Sequence, residues 1–257
     1  MMKISTYGAT DVGKKRSNNE DAFAILDSSR LFMVADGMGG HSSGEIASRL
    51  AVEEISSFFR ELELTEDSTW PYSYDDTISF SANKLRTAIA SANRRIQDYA
   101  RENPRSRGMG TTIVSVLVDG DTMTMLHVGD SRAYVLKKGK LTLLTTDHSW
   151  INDQVSHGFL SEEEALTHPF RNVITRALGT KDQANPDVQE FKLAGDERFL
   201  LCTDGLNSMV EDEKIREVLA THSSPEAAAS RLIELANENG GEDNITVVIL
   251  DVTKEDS

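Results

Sequence analysis

Residues 112–118 and 245–250 are apolar at nearly every position, so an extended chain there shows apolar side chains on both faces. Successive side chains of a strand point to opposite sides of its sheet. A strand of this kind therefore has no face to give to water, whereas a sheet wetted on one side alternates apolar with polar residues. Such strands require a second sheet against one face and helices against the other, and few folds meet that demand.

Strand-length segments recur at 4–9, 22–27, 31–35, 111–118, 122–129, 132–137, 140–145, 188–193, 198–203 and 245–252. Asp119-Gly120-Asp121 and Lys138-Gly139 stand where hairpin turns are needed. Helical periodicity appears three times. Ile46, Ala47, Leu50, Ala51, Ile55, Phe58 and Phe59 follow a start near Ser42, whose spacing to Glu45 is that of a capping box. Leu85, Ala88, Ile89, Ala92, Ile96 and Tyr99 share one face of a helix that stops before Pro104. A third helix runs from Ser224-Pro225 to Gly240-Gly241. The expected fold class is α+β, a four-layer α-β-β-α sandwich of two antiparallel sheets flanked by helices.

The 257 residues contain no Gly/Ser/Pro-rich linker and no repeat, so 1–257 is expected to be one domain. Residues 61–76 are expected to be a loop between helices, and 253–257 a frayed tail. Residues 148–176 mix polarity, with three histidines and an acidic run. They are expected to form a loop-rich excursion with a short helix from Ser161, either functional or a plain surface feature. The net charge of −15 repels phosphate backbones and argues against a nucleic-acid partner. The lone Cys202, in an apolar stretch, excludes an intrachain disulfide and fits a reducing compartment. No signal-like or membrane-spanning run is present, so a cytoplasmic protein without membrane contact is expected.

Acidic residues repeatedly follow or precede the strands. Leu31-Phe32-Met33-Val34-Ala35 runs into Asp36-Gly37-Met38-Gly39-Gly40-His41, and Val128-Gly129-Asp130-Ser131 and Cys202-Thr203-Asp204-Gly205 end two others. Gly241-Glu242-Asp243-Asn244 precedes the last strand. Each aspartate alone is also an ordinary turn residue. The set is what converging oxygen ligands for a hard cation would require.

Taken in order, these motifs, with Arg16-Ser17-Asn18-Asn19-Glu20-Asp21, Met109-Gly110-Thr111-Thr112 and Asp147-His148-Ser149, resemble the metal-dependent type 2C protein serine/threonine phosphatases, especially compact bacterial members. The resemblance covers nearly the whole chain. It implies a metal centre of two Mn or Mg ions with a weaker third at one end of the sandwich. By that likeness Asp36 bridges both metals and the Gly37 carbonyl binds the first. Asp204 and Asp243 bind the second, and Asp130 with Asp204 forms the third site. Glu20 and Asp21 hold metal-bound waters, Arg16 grips the substrate phosphate, and 148–176 is a flap beside the site. It further implies a monomer in signalling that acts on phosphorylated proteins and opposes a serine/threonine kinase.

One position departs from the family pattern. Some members carry a histidine directly after the Asp-Gly pair, but here it is Met38, which cannot donate a proton. His41 is a candidate catalytic substitute, with helix-entry packing as its alternative. His127 is expected to be a hydrogen-bonded sheet residue, and His148 and Ser149 to be structural at the root of the flap. A catalytically dead phosphoprotein-binding relative, a partner-switching phosphatase and a small-molecule phosphomonoesterase are the competing readings.

Overall fold

The computed structural model describes residues 2–40, 43–61, 69–70, 73–170, 173–181 and 183–254. Ser42 and His41, and most of the expected 61–76 loop, lie outside them. The strands are β1 (Met2–Asp11), β2 (Asp21–Leu26), β3 (Leu31–Met38), β4 (Gly110–Thr111), β5 (Ile113–Asp119) and β6 (Thr122–Val128). They continue as β7 (Arg132–Lys137), β8 (Lys140–Leu143), β9 (Asp187–Lys192), β10 (Asp196–Cys202) and β11 (Ile245–Lys254). The helices are α1 (Ser43–Glu61), α2 (Phe80–Glu102), α3 (Trp150–Ser156), α4 (Glu162–Thr167), α5 (Asp204–Asn207), α6 (Asp212–Thr221) and α7 (Pro225–Glu238).

One sheet has the order β1-β11-β10-β7-β8, the other β2-β3-β5-β6-β9 with β4 paired to β3. The doubly apolar strands sit where their composition requires. In β5, Ile113 and Leu117 join the core beneath α1 and α2, while Val114, Val116 and Val118 face the core between the sheets. In β11, Ile245, Val247 and Ile249 pack under α6 and α7, and Val248, Leu250 and Val252 face the other sheet. The α-β-β-α order follows from this division.

Three expectations change. The strand expected at 111–118 is broken at Thr112, because Gly110 and Thr111 pair with Met38 and Gly37 whereas Ile113 pairs with Val128. The excursion at 148–176 holds α3 as well as the expected α4, whose Ser161–Glu164 capping box is present. Thr253 and Lys254, expected to fray, pair with Lys3 and Met2 at the β1 edge. Helix α6 is additional. It offers only Ile215, Val218 and Leu219 as buried positions, too short a pattern to stand out in sequence.

The chain passes from one sheet to the other between β1 and β2 and again between β6 and β7. At the same end β3 stops, and the last residues of β10 lie beside the first of β11, Cys202 opposite Val247. Sequence segments far apart thus meet at one end of the sandwich.

Candidate metal centre

Asp21 opens β2 and stands directly across from Asp36 of β3. Asp204 opens α5 immediately after β10, Asp243 lies just before β11, and Asp130 sits in the β6–β7 crossing. Hydroxyls and amides fix these positions. The Asp36 N–H donates to Thr112 Oγ1 at 2.9 Å, and its carbonyl accepts from Thr111 Oγ1 at 2.8 Å and Thr112 N at 2.9 Å. The Thr112 hydroxyl also meets Ser131 Oγ at 2.7 Å, tying β3 to the Asp130 turn. Asp21 Oδ2 accepts from Thr203 Oγ1 at 2.8 Å and Thr246 Oγ1 at 2.7 Å.

Two glycines make the close approaches possible. A Cβ on Gly37 would lie 2.0 Å from the Gly44 carbonyl oxygen, and one on Gly205 would lie 2.0 Å from that of Asn244. No L-residue side chain fits at either point. Asn244 pins the loop carrying Arg16. Its Oδ1 accepts from Glu20 N at 2.7 Å, and its Nδ2 donates to the carbonyls of Val12 and Asn18, each at 2.9 Å. Arg16 Nη2 donates to Asp243 Oδ2 at 2.7 Å, so in this structure the guanidinium is paired with an aspartate of the cluster.

The electrostatics show five carboxylates sharing one volume. Burial is the main cause that pushes Asp36 well above the carboxylate range, and the charges of Asp21, Asp204, Asp130 and Asp243 add to it. Burial likewise pushes Asp21 to about 7 despite its two threonine donors, with Asp204 and Asp243 contributing. Asp130 also rises to about 7, through burial and then Asp204 and Asp147. Asp204 is raised by burial and by Asp243, and its carboxyl lies within hydrogen-bond reach of Asp36. Glu20 is raised by burial, with Arg16 opposing and Asp243 and Glu45 adding to the rise. At Arg16, burial opposes the charge but Asp243, Glu20 and Asp36 outweigh it and raise the pKa.

Asp21 Oδ1, Asp130 Oδ1 and Asp204 Oδ1 are buried oxygens without a hydrogen-bond partner. Buried anionic oxygens are costly unless something positive or hydrogen-bonding meets them. A donor set made wholly of oxygen fits Mg or Mn.

A second cluster looks like a metal site by composition and is not one by geometry. His127, His148 and Asp187 place ligand atoms within 4.8 Å of one another. The two imidazoles are stacked, with centroids 4.7 Å apart and planes 20° apart, so their in-plane lone pairs do not converge. His148 Nδ1 accepts the Gly129 N–H at 3.1 Å, which leaves the proton of the neutral ring on Nε2, 3.3 Å from Asp187 Oδ2. Arg176 Nη1 lies 3.2 Å from His148 Nε2 and 2.9 Å from Asp187 Oδ1, placing a cation where a metal would sit.

Of the residues singled out in the sequence, Asp21, Asp36, Asp130, Asp204 and Asp243 come together, with Gly37, Glu20 and Arg16 beside them. His41 lies outside the described residues. Met38 ends β3 opposite Gly110. His127 does bond within its surroundings, its Nε2 meeting the Thr146 carbonyl at 2.9 Å, and Ser149 caps α3. Thr112, Thr203, Thr246 and Asn244 do more at this site than their types announce. Their only signal in the sequence is adjacency to the aspartates and to the strand ends.

The model of the family described as protein phosphatase 2C matches residues 12–238. The chain is 39% identical over 256 residues to the serine/threonine protein phosphatase PstP of Mycobacterium tuberculosis, covering 98% of this chain and 46% of that protein. It thus spans about half the length of that relative. It is 36% identical over 258 residues to a putative protein phosphatase 2C-type of Streptococcus pyogenes, covering 99% of both. The crystal structure of the PstP catalytic domain in complex with two manganese ions superposes with a TM-score of 0.85 at 34% identity, over 99% of this chain and 100% of that one. The chain belongs to the protein phosphatase 2C family.

Proposed function

We propose that this chain removes phosphate from phosphoserine and phosphothreonine residues of proteins, in a cation-dependent hydrolysis that opposes a serine/threonine kinase in the cytoplasm, and that it acts as a monomer. The observation that carries the reading is the convergence of five carboxylates, with Asp21, Asp36, Asp130 and Asp204 raised by burial and three of their oxygens unpartnered. Asp36, the Gly37 carbonyl, Asp204 and Asp243 would hold a pair of Mn or Mg ions, and Asp130 with Asp204 a weaker third. Bound there, the cations would supply Lewis-acid charge and acidify water at neutral pH. That matters because phosphate monoesters need accelerations of up to ~10²¹.

The protein's own groups do the rest. Asp21 orients water through Oδ1, the oxygen that its donors Thr203 and Thr246 leave open, and Glu20 beside it orients a second water. Arg16 exchanges its Asp243 partner for two phosphate oxygens, a planar fork that lysine cannot copy. Met38 donates no proton to the departing alkoxide, so water or His41 performs that step. The chain has no need of a nucleophilic side chain: Cys202 is buried, and burial pushes its thiol to about 12.

Hydrolysis of an aryl phosphate and a phosphothreonine peptide, with manganese and after chelation, tests the proposal. Activity is expected only with metal. Asp36→Asn and Asp204→Asn should each lose more than roughly 100-fold, the upper end for merely supporting residues. Wild-type turnover in either variant overturns the mechanism. Arg16→Ala should raise KM while leaving manganese affinity within a few-fold.

A further inference from the structure

Helix α2 carries Arg86, Arg94 and Arg101 at intervals of seven and eight residues, which is two helical turns, so they share one face. That face forms one wall of a groove of about 570 Å³, with the segment around 183–186 opposite. A further 320 Å³ hollow continues it past Gln97 and Arg101 to Arg107, Gly108 and Gly179. Among the described residues no aspartate or glutamate lines either part, in a chain of net charge −15.

The arginines are only partly neutralised. Asp98 serves both Arg101, at 2.6 Å, and Arg94, at 3.9 Å, while Asp75 meets Arg86 at 3.1 Å. Arg107 has no ion pair among the described residues. Four guanidinium groups thus face two carboxylates, and the pairs are exposed enough to exchange for a partner's anions.

The groove starts near the metal centre. Gly37 pairs with Thr111, and Thr111 bridges Leu178. Gly179, the next residue, lines the groove. Two strand spacings put this end roughly 10 Å from Gly37, a span that about three extended residues cover. From Arg101 to Arg86 the helix rises roughly 22 Å, the length of about seven extended residues.

We propose that this arginine-lined groove docks an anionic stretch of the phosphoprotein substrate, beginning about three residues from the phosphorylated one. The proposal rests on the phosphatase reading above and adds a substrate class to it. The anionic groups are Asp/Glu side chains, which would replace the Asp75 and Asp98 carboxylates that these guanidinium groups now meet; a second phosphoresidue is the alternative that the test separates. Elsewhere the surface charge repels such a segment, so the groove also sets which flank enters.

The test compares the wild-type chain with the Arg94→Glu/Arg107→Glu variant on four substrates. These are an aryl phosphate and phosphothreonine peptides with a neutral flank, an Asp/Glu-rich flank and a second phosphothreonine on the flank. In manganese at low ionic strength, the wild type should favour at least one anionic flank over the neutral one. In the variant the KM of that peptide should rise about tenfold, with kcat unchanged and the aryl phosphate and the neutral-flank peptide unaffected. The flank that responds identifies the anion. A wild type indifferent to flank charge, or a variant that changes all four substrates alike, overturns the docking site. A wild type inactive on every substrate, the aryl phosphate included, overturns the underlying phosphatase reading instead.

Discussion

The Asp21 carboxylate is held by threonine hydroxyls and the Asp36 backbone by threonine hydroxyl and amide groups, neutral partners that fix a position without cancelling its charge, whereas Asp243 meets a cation, Arg16. Glu197 shows the opposite use of a buried carboxylate. Its oxygens accept from Lys137 Nζ at 2.7 Å, from Ala194 and Gly195 N at 2.8 Å and from Asp196 N at 3.1 Å. Burial alone would raise its pKa, but these four donors outweigh burial and lower it. A lowered folded pKa means the stabilisation is present above the unfolded value and lost as pH falls through the folded one. Glu197→Gln should therefore cost about 1–3 kcal/mol at pH 7, with a gap to wild type that closes below about pH 4; urea titrations across pH measure it. His148 is held neutral by burial first, then by His127 and Arg176. His148→Ala strands the buried Gly129 N–H and should cost about 2 kcal/mol in the same assay.

Secondary structure was readable wherever a hydrophobic period ran long enough. The strands and the helices α1, α2 and α7 follow from alternation, helical spacing and caps. The interruption at Thr112 was not readable, because an apolar run does not reveal which neighbour each residue bonds. It is the Asp36 N–H, a tertiary partner, that takes the Thr112 hydroxyl. At the β10–α5 junction the backbone passes so close to β11 that Gly205→Ala would drive a methyl against Asn244. This change should cost about 1–3 kcal/mol. It should also shift Asp204 and Asp243, lowering manganese affinity by calorimetry more than a surface Gly→Ala does. Should Gly205→Ala match wild type in both, the close approach is not a constraint.

Over the whole molecule, the fold holds mutually repelling carboxylates together, so a bound cation should stabilise the native state alone. Saturating manganese at about 100 times its Kd adds about 2.7 kcal/mol, which for a chain of this size is roughly 5–10 °C in Tm. Asp204→Asn should invert the pattern: without metal it melts above the metal-free wild type, because one buried charge is gone, yet manganese raises its Tm little. Scanning calorimetry with and without chelator distinguishes the two. An Asp204→Asn variant that melts lower in chelator and responds fully to manganese would show that Asp204 neither repels nor binds.

The sequence by itself determined the layered architecture and the aspartates, since periodicity and strand-end placement are local properties of the chain. It also marked Met38 as a position without a proton to give. Only the tertiary structure decided that Arg16 rests on Asp243, that Thr203 and Thr246 converge on Asp21 from separate strands, and that His127 and His148 stack instead of ligating. It also decided that α6 closes the outer layer and that three arginines of α2 wall one groove. Those outcomes depend on which distant segments the sandwich brings together, and hydrogen bonds and charge pairs form across that distance in space, not along the chain.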